Sequence, residues 1–249
     1  MDAAQCIKCR LFVLAQTRCC SSRIHCCSEG VFLTEDQYQQ FSPFQEVARQ
    51  LIPIIEAKHV DGVHGISHVQ RVWKNASTIM RTEGGDAGIV LAAIILHDCV
   101  VVEKNSPLRS QASTLAAQEA TRILTRLGWD QEQIEDIAHA IEAHSYSAKI
   151  VPRTLEAKIL QDADRLDAMG MVGIARCFYI SGRIGSALYD REDPTAMYRG
   201  LDDRRFAIDH FYAKLLKLSS GFQTETGVQM AQSRHEKIQW FLQEFLAEI

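Results

Sequence analysis

Residues 89–98 read Ile-Val-Leu-Ala-Ala-Ile-Ile-Leu-His-Asp. Eight apolar residues run without a break and then give way to a histidine and an aspartate. The run falls short of the ~18 residues needed to cross a bilayer. It reads instead as a helix buried in a protein core, closed by His97-Asp98. Two adjacent polar groups leaving such a helix need partners. Burying an unpaired polar group costs about 2–7 kcal/mol, and an unpaired charge costs more. What meets His97 and Asp98 therefore decides the chemistry of the chain.

Helical spacing extends in both directions from this run. Upstream, Ser42-Pro43 has the N-cap and N1 residue types of a helix start. Phe44, Val47, Ala48, Leu51, Ile54 and Ile55 follow at helical intervals, with Pro53 expected to bend or break the helix. A polar loop over 61–65 leads into a helix over 67–81, ended by Gly84-Gly85, and Asp86 is placed to cap the apolar run. Downstream, helices are expected over 113–127, 130–144, 154–169, 172–181, 206–218 and 227–249. Residues 183–205 are charged, rich in glycine and without helical period. A segment of this length in a compact domain is often functional, and a lid is one option. Nothing alternates with a period of two, so the fold class is all-α.

The 249 residues are 47% hydrophobic and 23% charged, with a formal net charge of -4. That is enough to bury a core, and it gives no chain-wide basic surface for nucleic acid. No apolar run is long enough for a membrane span, and a cytoplasmic protein is expected. Six of the eight cysteines (Cys6, Cys9, Cys19, Cys20, Cys26 and Cys27) fall in the first 27 residues. Cys6 and Cys9 have a zinc-like spacing that His25, Cys26 or Cys27 can complete, but glycines and aromatics between the ligands are nearly missing. The apolar stretch over 11–15 is too short for a secretory signal. Residues 1–41 are read as a poorly ordered Cys-rich tail, and 42–249 as the folded domain.

Four groups with metal-ligand chemistry stand at or near the expected helix ends: His68, His97, Asp98 and Asp164. A lone histidine at a helix start is more often a cap or a surface residue, and Asp162, Asp164 and Asp167 can form a solvated face. Yet Ala163, Leu166 and Met169 bring the core side of that helix close. Imidazole nitrogen with carboxylate oxygen suits Mn, Mg, Fe, Co or Ni better than a closed thiolate zinc site. Four protein ligands on an octahedral ion leave two positions for water and a phosphate oxygen.

The strings that carry these residues resemble the HD superfamily of metal-dependent phosphohydrolases, in particular its small bacterial members. They are His68-Val69-Gln70-Arg71-Val72, His97-Asp98, Ala143-His144-Ser145-Tyr146-Ser147-Ala148, residues 162–170 around Ala163-Asp164-Arg165-Leu166, and residues 209–218. The resemblance covers roughly residues 60–220. It implies a single helical bundle of about eight or nine helices and hydrolysis of a phosphate ester or anhydride in a nucleotide or other small phosphate compound. Carried over position by position, it implies His68, His97, Asp98 and Asp164 as ligands of a divalent ion. Manganese leads that set, with Mg, Fe, Co and Ni as alternatives. Asp162 competes for the last position and is assigned instead to support. Many relatives place a glutamate three or four residues after the HD aspartate. Here those positions are Val101 and Val102, followed by Glu103-Lys104.

Around the centre, Asp98 and His144 are the expected catalytic groups, with His144 facing a leaving group or scissile phosphate. Lys104, Arg71 and Arg109 are the expected substrate-binding cations, because phosphate chemistry needs positive charge where oxyanion charge develops. His139 lies five residues from His144, about 140° around a helix, so the two are poorly spaced for one additional ion. That spacing disfavours a di-iron oxygenase. A catalytically silent binding module would be marked by loss of a ligand, and all four are present. The expected partner is a small phosphorylated substrate; the oligomeric state is not legible.

Overall fold

The computed structural model describes residues 33–56, 65–102, 106, 108–145 and 148–249. The Cys-rich stretch with His25, and Glu103-Lys104, lie outside the described residues. Among the described residues there are ten α-helices and no strand: α1 (Glu35–Tyr38), α2 (Gln45–Glu56), α3 (Ile66–Glu83), α4 (Ala87–Leu96), α5 (Ala112–Arg126), α6 (Gln131–His144), α7 (Leu155–Asp167), α8 (Gly170–Arg183), α9 (Ala207–Ala213) and α10 (Glu225–Ala247). The all-α class read from periodicity is the class observed, with one short helix more than expected.

Helix α4 is the axis of the fold. All eight residues 89–96 are buried, and the helix packs against α2, α3, α6 and α7. A helix apolar on every side must be surrounded, so its sequence demands that central place. Asp86 starts it by accepting hydrogen bonds from the N–H groups of Gly88 and Ile89 at 2.8 and 3.1 Å. Burying an isoleucine or leucine is worth roughly 1.5–3 kcal/mol each. That packing anchors the end of α4, and with it His97 and Asp98.

Two buried amide side chains set the register of α7. Asn75 of α3 donates to the Ala163 carbonyl at 3.0 Å, and Gln161 of α7 donates to the Ala143 carbonyl of α6 at 2.7 Å. Helix α7 is thereby fixed to both neighbours at the level where Asp164 projects. Phe178, Phe211, Phe241 and Phe245 pack ring to ring and join α8, α9 and α10.

Three expectations shift. Packing begins before Ser42: Leu33 and Phe41 belong to the core, and α2 starts only at Gln45. Pro53 lies inside α2 without ending it. It sits in the last turn, where only the Arg49 carbonyl loses its intrahelical donor. Residues 184–206 are non-helical, as expected, but they are fastened. The backbone of Ala187 exchanges hydrogen bonds with Arg205 and Ala207, and Ile208 donates to the Leu188 carbonyl. Nothing in that bonding marks a free lid.

Candidate metal centre

Four helix ends converge. His68 is in the first turn of α3, His97 is the C-cap of α4 with Asp98 next, His144 ends α6, and Asp164 lies in the C-terminal half of α7. His68 Nε2 and His97 Nε2 are 3.3 Å apart. Asp164 Oδ1 is 3.4 Å from the first and 3.9 Å from the second. Asp98 Oδ2 is 3.3 Å from His97 Nε2. Ligand atoms of His68, His97 and Asp164 form one group within 4.8 Å of one another, and those of His97, Asp98 and His144 form another. The two groups share His97.

The outward faces of the imidazoles fix their protons. His68 Nδ1 lies 2.8 Å from Asp167 Oδ2. His97 Nδ1 lies 2.7 Å from the Ile94 carbonyl, and His144 Nδ1 lies 2.6 Å from the Ile141 carbonyl. Each of these partners only accepts, so each Nδ1 carries hydrogen and donates. In the neutral rings the Nε2 lone pairs then point inward, toward each other and toward two carboxylates. Lone pairs and anions so gathered require a cation. Burial opposes charge on His97, but Asp98 and then Asp164 outweigh it and hold the imidazole pushed up to about 9. Burial and the nearby His97 push His144 down, keeping it neutral.

Asp167 had been grouped with its neighbours as a possible solvated face. It is 1% exposed and is the hub behind the centre. It accepts from His68 Nδ1, from Arg71 Nε at 2.6 Å and Nη2 at 3.0 Å, and from Arg176 Nη1 at 2.7 Å. Burial alone would raise its pKa, but His68 and Arg71 hold the carboxyl well below the usual range. Its legible signal was position: three residues beyond Asp164, it shares that helical flank. Arg71 does stand on the face of His68, and its Nε and Nη2 are given to Asp167. Arg176 had no such signal, since only the packing of α8 on α7 brings it there.

Asp162 faces the other way. Completely buried, it accepts from the N–H of Gln223 and from the N–H and hydroxyl of Thr224, at 2.8–3.1 Å, where α10 begins. Gly227 makes room for it, because a Cβ there would lie 2.5 Å from Asp162 Oδ2. Arg109 is exposed beside the centre and donates from Nη1 to the Val102 carbonyl at 2.9 Å. His139 takes a hydrogen bond from the Arg153 backbone instead of joining the cluster.

A helical bundle that brings His, His-Asp and Asp from three helices together around His97 is an HD-type fold with an HD-type centre. The HD domain family model matches residues 65–169, the span that holds every residue of the cluster. YpgQ of Bacillus subtilis is 33% identical over 190 residues, which are 75% of this chain and 84% of YpgQ. The structure is similar to that of an HD-superfamily hydrolase from Bacillus thuringiensis, with a TM-score of 0.64 and 30% identity over 82% of this chain and 96% of that one. It is similar as well to YpgQ solved in complex with ADP, with a TM-score of 0.62 and 29% identity over 86% and 96%. The chain belongs to the HD superfamily.

Proposed function

We propose that the chain is a divalent-metal-dependent phosphohydrolase acting on a phosphate ester or anhydride of a small compound, a nucleotide first among them. In this reading His68, His97, Asp98 and Asp164 hold the ion. One observation carries it: every imidazole of the cluster commits Nδ1 outward and turns Nε2 toward Asp98 and Asp164, so that once His97 gives up its second proton the set offers only lone pairs and carboxylate oxygens. Nitrogen and oxygen donors without sulfur fit Mn, with Mg, Fe, Co and Ni as alternatives. Such an ion supplies Lewis acidity toward phosphate oxygen and lowers the pKa of water.

The protein groups then divide the remaining work. Asp167, charged and held by two arginines, orients His68. The Asp98 side chain is 42% exposed, so it can accept a hydrogen bond from water on the open side. His144, neutral and edge-on to His97 with ring centroids 4.9 Å apart, offers Nε2 to that water or to a leaving group. Arg109, and Lys104 outside the described residues, are the expected contacts for substrate phosphate. The ADP complex of YpgQ supports a nucleotide as the substrate to try first.

The test is a screen of the metal-loaded protein against nucleoside tri-, di- and monophosphates and a generic phosphodiester, with EDTA controls. Mn-dependent release of phosphate or pyrophosphate, lost with EDTA and restored by metal, is the expected outcome. Stoichiometric metal with no turnover of any of them would favour a binding module instead.

A further inference from the structure

Ser113 stands in the first turn of α5, at the level of the HD centre. It is 4% exposed, and its hydroxyl has no hydrogen-bond partner among the described residues. Buried hydroxyls are ordinarily satisfied, often on a carbonyl one helical turn back. Thr121 of the same helix does this, donating to the Ala117 carbonyl at 3.0 Å. Alanine fills the neighbouring positions 112, 116 and 117. An alanine at 113 would therefore serve the packing and avoid an unpaired polar group.

Ser113 lines a cavity of about 70 Å³. One wall is His97, Asp98 and His144; the other is Arg109, Ser110 and Ser113. A space of this size holds a few waters or one small oxyanion. Its outer wall supplies donors. Arg109 has a permanent positive charge and one N–H on the Val102 carbonyl. Helix α5 has 15 residues, no acidic residue in its first turn, and an N-cap, Gln111, whose side chain makes no capping bond. Guanidinium and hydroxyl together select an anion.

We propose that this cavity is an oxyanion subsite in which Ser113 donates its hydroxyl hydrogen to a phosphate oxygen of the substrate, with Arg109 beside it on the same group. The proposal rests on the phosphohydrolase reading and extends it to a specific residue. Asp98 shares the cavity wall, so anion binding is strong only with a cation on the cluster. The substrate phosphate then bridges the metal side and the α5 side. Ser113 is a substrate-binding residue here, and its loss removes a contact made in ground and transition states alike.

The probe is inorganic phosphate, titrated calorimetrically into the Mn-loaded full-length protein and into Ser113→Ala. The variant is expected to keep wild-type Mn stoichiometry, to melt at the same or a higher temperature, and to bind phosphate about tenfold or more weakly, the loss of one hydrogen bond to a charged group. In turnover, KM should rise by a similar factor with kcat little changed. Arg109→Met, at an exposed position, should weaken phosphate too and tests the subsite even if Ser113→Ala folds poorly. Phosphate affinity within twofold of wild type in both variants would mean a water-filled cavity only and would overturn the proposal. Loss of Mn from Ser113→Ala would also overturn it, by placing the residue in the support of the cluster. Absence of hydrolysis in the wild type would strike the phosphohydrolase reading alone, since the phosphate titration stands without turnover.

Discussion

The HD centre and the segment 184–206 both crowd charged side chains together, but they satisfy them in opposite ways. In the segment every carboxylate that shapes the chain has protein donors. Asp193 takes the N–H groups of Met197 and Tyr198, both at 2.8 Å, and Asp190 takes those of Glu192 and Asp193. Asp209, fully buried at the start of α9, accepts from Arg199 Nη1 at 2.6 Å and Nη2 at 2.8 Å and from the Asp202 N–H at 2.6 Å. Burial works against its charge, and Arg199 and Asp202 more than reverse that, so its pKa is lowered. At the centre, among the described residues, Asp98 and Asp164 meet imidazoles and no guanidinium or backbone N–H. A carboxylate whose donors are all internal builds backbone structure. One left among imidazoles alone is built for something that arrives from outside.

That contrast can be broken by changing one carboxylate at a time. The largest effect is expected at Asp164→Asn, which removes a carboxylate whose described neighbours are the imidazoles of His68 and His97. Metal affinity should fall by more than ~100-fold, beyond what loss of a supporting group costs, and turnover should not return at any practical Mn concentration. Asp162→Asn should be rescued at least partly by excess Mn, because its partners are the N-terminal groups of α10. Metal content and Mn-dependent turnover on both folded variants give the ranking, and the reverse order would sink it.

Asp167→Asn comes next. It leaves the ligands in place but unfastens His68, so metal affinity should weaken by about 10–100-fold. The same group shapes acid stability. Its folded pKa lies below its unfolded value of about 3.9, so its stabilisation is complete above that value and is lost as pH falls toward the folded one. Thermal melts between pH 5 and pH 2.5 should show a steeper loss in the wild type than in Asp167→Asn. Parallel curves would remove Asp167 from that role.

A smaller, graded effect follows from His97. Without metal its imidazole titrates at about 9. An entering ion must displace that proton, so Mn affinity should climb by roughly tenfold per pH unit from 7 toward 9 and then level. Calorimetry in buffers of different ionisation enthalpy should report the proton released. A flat profile would show that His97 is neutral before metal binds. The smallest effect on metal is expected at Asp209→Asn. It should lower Tm by roughly 4–10 °C by stranding Arg199, with unchanged metal stoichiometry, and loss of metal there would couple two regions that the structure keeps separate.

How much of this the sequence discloses depends on how locally each feature is determined. Helix α4 is legible because eight apolar residues admit only a buried place, and the caps at Asp86 and Asp130 are legible because they act within three residues. The opposite flanks of Asp162 and Asp164 follow from helix geometry. Which flank faces the centre does not, because α10, whose first turn binds Asp162, lies some sixty residues further on. The same limit hides Arg176 behind Asp167 and Ser113 beside the cavity. It hides the partner of Arg71 as well, whose position on a helix face is local while Asp167 is 96 residues away.

The most direct test is to locate the ion. Crystals soaked in Mn and measured at its absorption edge should show one strong anomalous peak within ~2.0–2.6 Å, a metal-bonding distance, of His68 Nε2, His97 Nε2 and an oxygen each of Asp98 and Asp164. No peak should appear beside Asp162. A peak coordinated by Asp162, or a fully soaked crystal with nothing between His68 and His97, would contradict the account.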